Sequence, residues 1–375
     1  VLFSMLGLSA CGGQAALKAD QAVRQVPSPT AVQNKQVKVL WRASTAGSQQ
    51  YAARFEPVIR AAVVYTASEN GRIEGFSLET GKRVLKADLR TQLISGLGAN
   101  EALLVAVTAQ GEVVALNRAD GTEKWRFNSG RSLSAAAVMS EQIIAIRTID
   151  GYLIGLNAAT GEQIWGIERA VSALSLGLDS SSLIAGEGVI SGFSNGRVLA
   201  SNIFNGQIFW EKRTFRPQGK NDIERLVDID AAPVLSGTTV LVGAYQGGVV
   251  AYGLRDGVEA WRNSEVSTRK RMSVLNQNIA VTESNSDLSL LSFATGERQW
   301  QQTELRGHGL SAPILLENTL LVGSLEGVLY SLETAEGKLI SQIKLSSAPI
   351  TALYQTEQGL LVYSASSGAL ILVSL

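Results

Sequence analysis

The chain has 375 residues, and its 33 basic and 33 acidic side chains give a formal net charge of zero. Because the chain has no net charge, its overall electrostatic potential does not favour nucleic acid, and we do not expect nucleic-acid binding. The single cysteine excludes an internal disulfide and a two-thiol metal or redox site, and the single histidine leaves little for histidine-based chemistry.

The first ten residues are apolar and end in small side chains, as at the end of a bacterial export signal. The run is too short for a membrane-spanning helix, so we expect residues 1–10 to be a signal-peptide remnant. Cys11 completes the run Leu8-Ser9-Ala10-Cys11, which matches the lipobox cut by lipoprotein signal peptidase. We predict that Cys11 is the acylated first residue of a lipoprotein, with a buried core cysteine as the alternative. Gly12, in place of Asp, favours sorting to the outer membrane.

The segment after Cys11 carries few apolar side chains and includes two prolines, Pro27 and Pro29. Such a composition does not support a packed core. We predict that residues 11–36 form a lipid-anchored flexible tether, which would hold the folded body close to a membrane.

The rest of the chain, residues 37–375, is built from repeats of the form G-x-x-x-x-L/Y-x-x-x-x-G-x-x-x-W. The repeats open at positions 71, 111, 151, 196, 247, 286, 327 and 368, with Ser286 once replacing glycine. Successive openings are 40, 40, 45, 51, 39, 41 and 41 residues apart. A period near 40 is typical of propeller blades or of paired helices, and it favours one large domain over two ordinary ones.

Composition separates the two architectures. Each repeat holds short, β-branched runs such as 103–107 and 320–323, bounded by Gly, Asn or Asp. Tight turns such as Asn70-Gly71 follow these runs, and there glycine supplies a positive φ. A third strand then ends in a second glycine turn, and a fourth strand begins at the tryptophan. We therefore predict an all-β fold, an eight-bladed β-propeller of four-stranded antiparallel blades.

The last repeat ends at Leu375 without its tryptophan and its outer strand. Residues 37–41 have the sequence of that missing strand. We predict that this N-terminal strand completes the last blade and closes the ring, because it would pair an otherwise exposed strand edge.

All six tryptophans occupy one position of the repeat, and Leu85 and Ser341 replace tryptophan in the first and seventh copies. One aromatic ring per blade is better explained by packing between neighbouring blades than by a ligand groove. We expect weaker contacts at Leu85 and Ser341. The predicted docking residues are Trp41, Trp125, Trp165, Trp210, Trp261 and Trp300.

The segment from Gly151 to Trp165 resembles the tryptophan-docking repeat of pyrroloquinoline quinone (PQQ) propellers. Two classes of protein share this repeat, the quinoprotein dehydrogenases and the BamB family of outer-membrane assembly lipoproteins. The lipobox, the bare eight-repeat length and the acidic run 222–233 are similar to the BamB family. The resemblance covers residues 11–375.

The alternative functions are a PQQ-dependent dehydrogenase and a small-molecule-binding periplasmic propeller. Dehydrogenases that share the repeat carry a vicinal cysteine pair against the cofactor and carboxylate ligands to calcium. A chain with one cysteine cannot form that pair. His308 is expected to be a solvated loop residue, since no nucleophile or base pairs with it in the sequence. We predict no catalytic residue, no cofactor and no metal.

Two connections between blades are longer than the rest. From the tryptophan position to the next opening the count is 26, 26, 31, 37, 25 and 27 residues. The 31-residue interval holds the apolar run 173–178, and the 37-residue interval holds 215–225 and then Asp228 and Asp230. Both join an outer strand to the next inner strand, so they emerge on one face of the ring. Such loops are commonly a binding face.

The resemblance to the BamB family implies a partner at this place. In that family a Leu-x-Leu-Arg segment and two Asp residues contact the periplasmic POTRA domains of BamA, and the matching positions here are Leu174, Leu176, Gly177, Asp228 and Asp230. Gly177 departs from the family Arg and lacks its donor. In the alternative explanation, the leucines cover a blade edge and the aspartates cap turns. The resemblance also implies other BAM subunits as partners, unfolded outer-membrane proteins as possible clients, and an outer-membrane, periplasmic location through the lipid anchor only.

A short basic cluster, Arg269-Lys270-Arg271, lies in a later loop. We expect it to be a solvated corner. Anionic lipid headgroups or lipopolysaccharide are the alternative ligands.

Overall fold

The computed structural model describes residues 37–47, 54–170, 181–216 and 227–374. In these ranges the chain forms 32 strands, arranged as eight four-stranded antiparallel sheets. Each sheet corresponds to one sequence repeat, so the predicted number of blades and the predicted number of strands in each blade are confirmed.

The strands of blade 8 come from both ends of the chain, and those of blades 1 to 3 follow in sequence. The N-terminal strand is β1 (Val39–Ser44). Blade 1 contains β2 (Val58–Arg60), β3 (Val63–Ala67), β4 (Arg72–Ser77) and β5 (Arg83–Asp88). Blade 2 contains β6 (Gly98–Ala99), β7 (Leu103–Val107), β8 (Glu112–Asn117) and β9 (Glu123–Asn128). Blade 3 contains β10 (Val138–Met139), β11 (Ile143–Arg147), β12 (Tyr152–Asn157) and β13 (Gln163–Glu168).

The second half of the ring repeats this arrangement. Blade 4 contains β14 (Leu183–Ala185), β15 (Gly188–Gly192), β16 (Arg197–Asn202) and β17 (Ile208–Arg213). Blade 5 contains β18 (Val234–Ser236), β19 (Thr239–Ala244), β20 (Gly248–Gly253) and β21 (Glu259–Asn263). Blade 6 contains β22 (Ser273–Leu275), β23 (Asn278–Thr282), β24 (Leu288–Ser292) and β25 (Arg298–Gln302). Blade 7 contains β26 (Ile314–Leu316), β27 (Thr319–Gly323), β28 (Val328–Glu333) and β29 (Leu339–Lys344). Blade 8 contains β30 (Ala352–Thr356), β31 (Gly359–Ser364), β32 (Ala369–Val373) and β1.

The first strands of successive blades contact one another, for example β2 with β6 and β6 with β10, so they form the inner ring. The second strands β7, β11 and β15 are buried along their whole length, because each sheet packs face to face against its neighbours. The outer strands, such as β9, alternate between exposed and partly buried residues. The apolar core therefore lies between the blades.

Strand β1 closes the ring. It pairs antiparallel with β32, from Val39 opposite Val373 to Ser44 opposite Ala369. The outer strand of blade 8 is thus supplied by the N-terminal segment, as the sequence predicts. Since β1 and β32 are far apart in sequence, no hairpin joins the third and fourth strands of this blade.

Each tryptophan ring packs against the next blade. The indole Nε1 donates a hydrogen bond of 2.7–3.0 Å to the carbonyl that follows the third strand of that blade. The acceptors are Leu78 for Trp41, Ala158 for Trp125, Ile203 for Trp165, Leu254 for Trp210, Phe293 for Trp261 and Thr334 for Trp300. The prediction that the fourth strand begins at the tryptophan is wrong by two residues, since Trp125 is the third residue of β9. The strand extends further because Glu123 already pairs with Leu116 across a bulge.

The ring also rests on the glycine turn of the next blade. Gly161 has a φ of +78°, and a Cβ there would lie 2.5 Å from the Trp125 ring. Glycine is therefore needed twice at this position, for the backbone conformation and for the close approach of the indole.

The turn that opens the repeat differs in blade 5. The sequence indicates Gly247 for the positive φ, but Gln246 (+56°) and Gly248 (+101°) adopt it instead. The register is nevertheless conserved, because Ala251 pairs with Trp261 as Ala115 pairs with Trp125. In blade 6, Ser286 takes a φ of +73°, as expected of a residue that replaces glycine.

Candidate functional site

Both long connections adjoin blade 4. One runs from β13 to β14 and the other from β17 to β18, so each joins an outer strand to the next inner strand. Residues 171–180 and 217–226 lie outside the described residues, and with them Leu174, Leu176 and Gly177. The described residues that flank the connections show how neighbouring blades contact their ends.

The first connection leaves blade 3 through a charged contact with blade 4. The guanidinium of Arg169 donates from Nε to Glu211 Oε2 at 3.0 Å, and Arg197 Nη1 donates to Glu211 Oε1 at 3.0 Å. The Asn195 amide also donates to the carbonyl of Ala170. Because Arg197 and Glu211 belong to blade 4, the start of the connection is bound to the blade it approaches.

The second connection begins in a buried pocket between blades 4 and 5. Phe215 is 3% exposed, and the Arg262 guanidinium lies 5.7 Å from its ring centroid. Arg262 Nη1 also donates to the carbonyl of Thr214 at 2.8 Å, and the Tyr252 hydroxyl lies 3.2 Å from Thr214 Oγ1. Burial raises the pKa of Tyr252, so its hydroxyl keeps its proton at neutral pH. Thr214 and Phe215 are therefore held by blade 5.

The second connection returns as a regular part of the fold. The Asp228 carbonyl accepts a hydrogen bond from Tyr245 N, as the Gln92 carbonyl does from Ala109 N in an earlier blade. Ile229 is 2% exposed and packs so closely over Gly192 that a Cβ there would lie 2.3 Å from its Cγ2. The added residues thus lie before Val227.

The two aspartates are buried. Asp228 is 1% exposed and Asp230 is 6% exposed. They flank Ile229, which anchors the same segment in the apolar cluster between blades 4 and 5. The structure therefore places the pair in the described segment that leads into β18. Sequence reasoning treated these aspartates as part of a loop. Asp228 occupies the same backbone position in blade 5 as Gln92 does in blade 2. Alignment of the two repeats at this position could have shown that both aspartates belong to the regular segment before β18.

Sequence reasoning also missed the residues that anchor the two connections. Glu211 and Arg262 are ordinary charged positions on outer strands, and only the fold shows that they contact neighbouring blades. Phe215 was included in the connection without a role. The next residue, Arg216, is exposed.

The expectation that His308 is solvated is wrong. The residue is 1% exposed, its ring packs edge-on to Tyr330 at 5.8 Å, and its Nδ1 lies 3.2 Å from Glu326 Oε2. Burial favours a higher pKa for Glu326, but the adjacent Ser324 and His308 side chains lower it. Leu325 N donates to the His308 carbonyl, so the turn between β27 and β28 packs against the segment that holds His308.

The basic cluster 269–271 is only partly solvated. Arg269 stacks over the Tyr245 ring at 5.3 Å, and burial lowers the pKa of Lys270. Lys270 and Arg271 interact electrostatically with Glu56, which is 3.3 Å from the Tyr354 hydroxyl. These groups come from the approaches to blades 6 and 1 and from β30, so the cluster faces the inner ring of strands. The expectation of a solvated corner therefore fits Arg269, which is exposed, better than it fits Lys270, which is partly buried.

The residues present do not provide the donor groups that a quinone cofactor of this kind needs. Cys11 is the only cysteine of the sequence, so no vicinal pair can form. Among residues 37–374, as far as the structure describes them, no group of three or more His, Cys, Asp or Glu side chains could hold a metal ion. Across the same residues, no helix is long and apolar enough to cross a membrane.

Comparison with known proteins places this architecture in a family. The family model described as "Outer membrane protein assembly factor BamB" matches residues 28–148, 69–302 and 286–374. The BamB of Escherichia coli K12 is 30% identical over 362 residues, which covers 93% of this chain and 92% of that protein.

Two solved structures share the fold. The crystal structure of BamB from Moraxella catarrhalis has a TM-score of 0.81 at 21% identity and covers 91% of this chain and 100% of its own. A quinohemoprotein alcohol dehydrogenase from Comamonas testosteroni has a TM-score of 0.69 at 11% identity, over 90% of this chain and 76% of its own. Similarity at these identities shows the propeller fold alone.

Proposed function

The chain belongs to the family of the outer membrane protein assembly factor BamB, and from this premise we propose that it is a non-catalytic scaffold of the outer-membrane β-barrel assembly (BAM) machinery. It binds the POTRA domains of BamA, works with the other BAM subunits, and thereby assists the folding and insertion of outer-membrane proteins. Its mechanism is positional: it orients the POTRA domains and supplies no chemistry of its own.

The observation that carries the proposal is the placement of the two long connections on either side of blade 4. Both leave from anchored positions, the first from Arg169 on Glu211 and the second from Phe215 under Arg262. Anchored ends limit the entropy lost when a connection binds a partner, which favours a protein partner. We assign Leu174, Leu176 and Gly177 of the first connection as contact residues.

The aspartates would act at the end of the second connection, just before β18. Asp228 and Asp230 are 1% and 6% exposed, so a cationic group of BamA that contacts their carboxylates would be largely desolvated. A buried ionic contact of this kind is costly to break on one side only, by about 2–5 kcal/mol. The leucines therefore supply apolar area, and the aspartates supply specificity.

The membrane is reached through the lipid on Cys11 alone. Residues 1–10 would be removed as a signal peptide, and 11–36 would tether the propeller to the periplasmic face of the outer membrane. The test is mass spectrometry of the mature chain, which should begin at an acylated Cys11, and Cys11→Ser should release the protein from membranes.

Association with BamA is tested by co-purification from detergent-solubilised membranes. The double variant Leu174→Ala with Asp228→Ala should recover much less BamA than the wild-type chain. The matched control is Leu325→Ala with Asp120→Ala, which changes an exposed leucine and a turn aspartate on other blades. Undiminished recovery by the double variant, with the control unchanged, would overturn the site.

Thermal unfolding of the same variants separates binding from folding. Asp228→Asn keeps the shape of the buried side chain, so it should weaken recovery of BamA while the chain still unfolds cooperatively.

Addition of PQQ with calcium tests the alternative function as an enzyme, and we expect no bound chromophore and no dye-linked alcohol oxidation.

A further inference from the structure

Two of the eight blade interfaces lack the tryptophan that fills the other six. At the interface of blades 1 and 2 the position belongs to Leu85, which pairs with Gly75 as Trp125 pairs with Ala115. At the interface of blades 7 and 8 the tryptophan position is occupied by Ser341, but blade 8 has no hairpin between its third and fourth strands. At blades 1 and 2 the receiving hairpin is complete, with Gly121 at a φ of +75°.

The shorter side chain leaves a groove. A Cβ on Gly121 would lie 3.5 Å from the nearest atom of Leu85 and 3.0 Å from Ala87 Cβ, whereas at the six tryptophan interfaces the nearest ring atom would lie at 2.2–3.0 Å. The groove has a volume of about 610 Å³. Its walls include Val63, Tyr65 and Val84 of blade 1 and the turn 117–120 of blade 2. Val84 is 57% exposed beside it.

The polar partner of the missing indole is present as well. In six interfaces the indole N–H is accepted by the carbonyl seven residues after the repeat opening, and at blade 2 that carbonyl belongs to Arg118. Among the described residues no hydrogen bond to the Arg118 carbonyl is formed. The acceptor and the glycine support of a docking site therefore remain, while the ring does not.

The side chain of Arg118 adds an affinity for aromatic rings. Its counterparts at the six tryptophan interfaces are uncharged. Here the Arg118 Nη1 donates to the Tyr65 hydroxyl at 3.3 Å, and Nε donates to the Glu101 carbonyl at 2.8 Å. These bonds fix the guanidinium as a planar wall of the groove. A fixed guanidinium attracts the face of an aromatic ring. The acidic side chains of Glu101 and Asp120 at the rim disfavour an anionic ligand.

We propose that this groove binds an aromatic side chain, tryptophan or tyrosine, of an extended polypeptide. The ring would take the place of the missing indole, donate its N–H or O–H to the Arg118 carbonyl and pack on the Arg118 guanidinium. Resting on the function proposed above, the donor is an unfolded outer-membrane β-strand, because such strands carry aromatic girdles near their ends. The groove lies at blades 1 and 2, away from the BamA contact at blade 4.

The test is methyl nuclear magnetic resonance of the full chain titrated with N-acetyl-L-tryptophanamide. We expect saturable shifts at the methyl groups of Val63, Val84 and Leu85, and much smaller shifts with N-acetyl-L-leucinamide. Leu85→Trp fills the groove with the chain's own ring and should weaken binding at least about tenfold. Leu85→Met keeps the groove open and should bind within about threefold of wild type.

A second arm uses a peptide from an outer-membrane strand with one tryptophan, and the same peptide with alanine in its place. Only the first should displace N-acetyl-L-tryptophanamide. Absence of shifts at these three residues in the wild-type chain, or equal binding by Leu85→Trp, would overturn the proposal. Recovery of BamA by Leu85→Trp should stay unchanged, so failure here is distinguishable from failure of the proposed function.

Discussion

The tryptophan contacts between blades should account for a large share of the stability of the ring, and Trp165→Leu tests this. Trp165 is 8% exposed, donates to the Ile203 carbonyl at 2.8 Å and lies against Gly206. The variant reproduces the native Leu85 at a different interface. Loss of the donor leaves a buried carbonyl unsatisfied, at about 1–3 kcal/mol, and the smaller side chain leaves a cavity. We expect a total loss of about 2–4 kcal/mol in the free energy of unfolding.

The assay is equilibrium unfolding in urea, followed by tryptophan fluorescence and circular dichroism. The matched control is Ile164→Ala, because Ile164 is the adjacent residue of the same strand and is 47% exposed. The control should change the free energy of unfolding by less than about 0.5 kcal/mol. A loss below about 1 kcal/mol for Trp165→Leu would refute the assignment of this ring as a principal contact between blades 3 and 4.

Two further predictions concern the seam and the turns. Glu74 is buried at the seam and accepts hydrogen bonds from Thr45, from Ala46 N and from Arg83; although burial opposes it, these bonds lower its pKa below the ordinary 4.5. The unfolded chain therefore binds the proton more tightly, so this stabilisation is complete above about pH 4.5 and is lost as the pH falls through the lower pKa of the folded chain. Glu74→Gln should cost about 1–3 kcal/mol at pH 7 and much less at pH 3 in urea unfolding, and a pH-independent difference would contradict the seam contact. Gly161→Ala should cost more than Gly130→Ala in the same assay: both have positive φ, but only the Cβ at residue 161 meets the Trp125 ring, and equal losses would show that the ring does not constrain this turn.

The architecture could be predicted because the repeat carries its own geometry. The recurring Gly-x-x-x-Trp spacing defines one outer strand per blade, and Trp41 before the first repeat identifies the strand that closes the ring. A short β-branched run such as Leu103–Val107 is buried on both faces, and its composition indicates this directly. Local patterns with a fixed period thus predict the fold well.

Positions that depend on neighbouring blades could not be predicted. His308 sits in a glycine-flanked loop that is typical of a solvated turn, yet it is buried by a loop that folds back over it. Asp228 and Asp230 have the composition of a loop, but their backbone follows the regular approach to an inner strand. In each case the deciding contact comes from a residue distant in sequence, which periodicity does not encode.

The candidate site was only partly predictable for the same reason. The spacings of 45 and 51 residues between repeat openings indicate where the connections between blades are longer. They do not show that Glu211 and Arg262 anchor the connections, because those residues have no special spacing. The groove at Leu85 follows from an exception to the repeat, and its walls become apparent only when Arg118 and Tyr65 meet across the interface.

The most direct test of the account measures binding of the whole detergent-solubilised chain to purified BamA after both long connections are replaced. Residues 171–180 and 217–226 would each be exchanged for a short Gly-Ser linker, with the anchors Arg169 and Phe215 left in place. We predict that the propeller still unfolds cooperatively and that binding to BamA falls by at least about 100-fold, as expected when the central contacts of an interface are removed. Undiminished binding by this folded variant would contradict the central claim that the two connections beside blade 4 form the partner-binding surface.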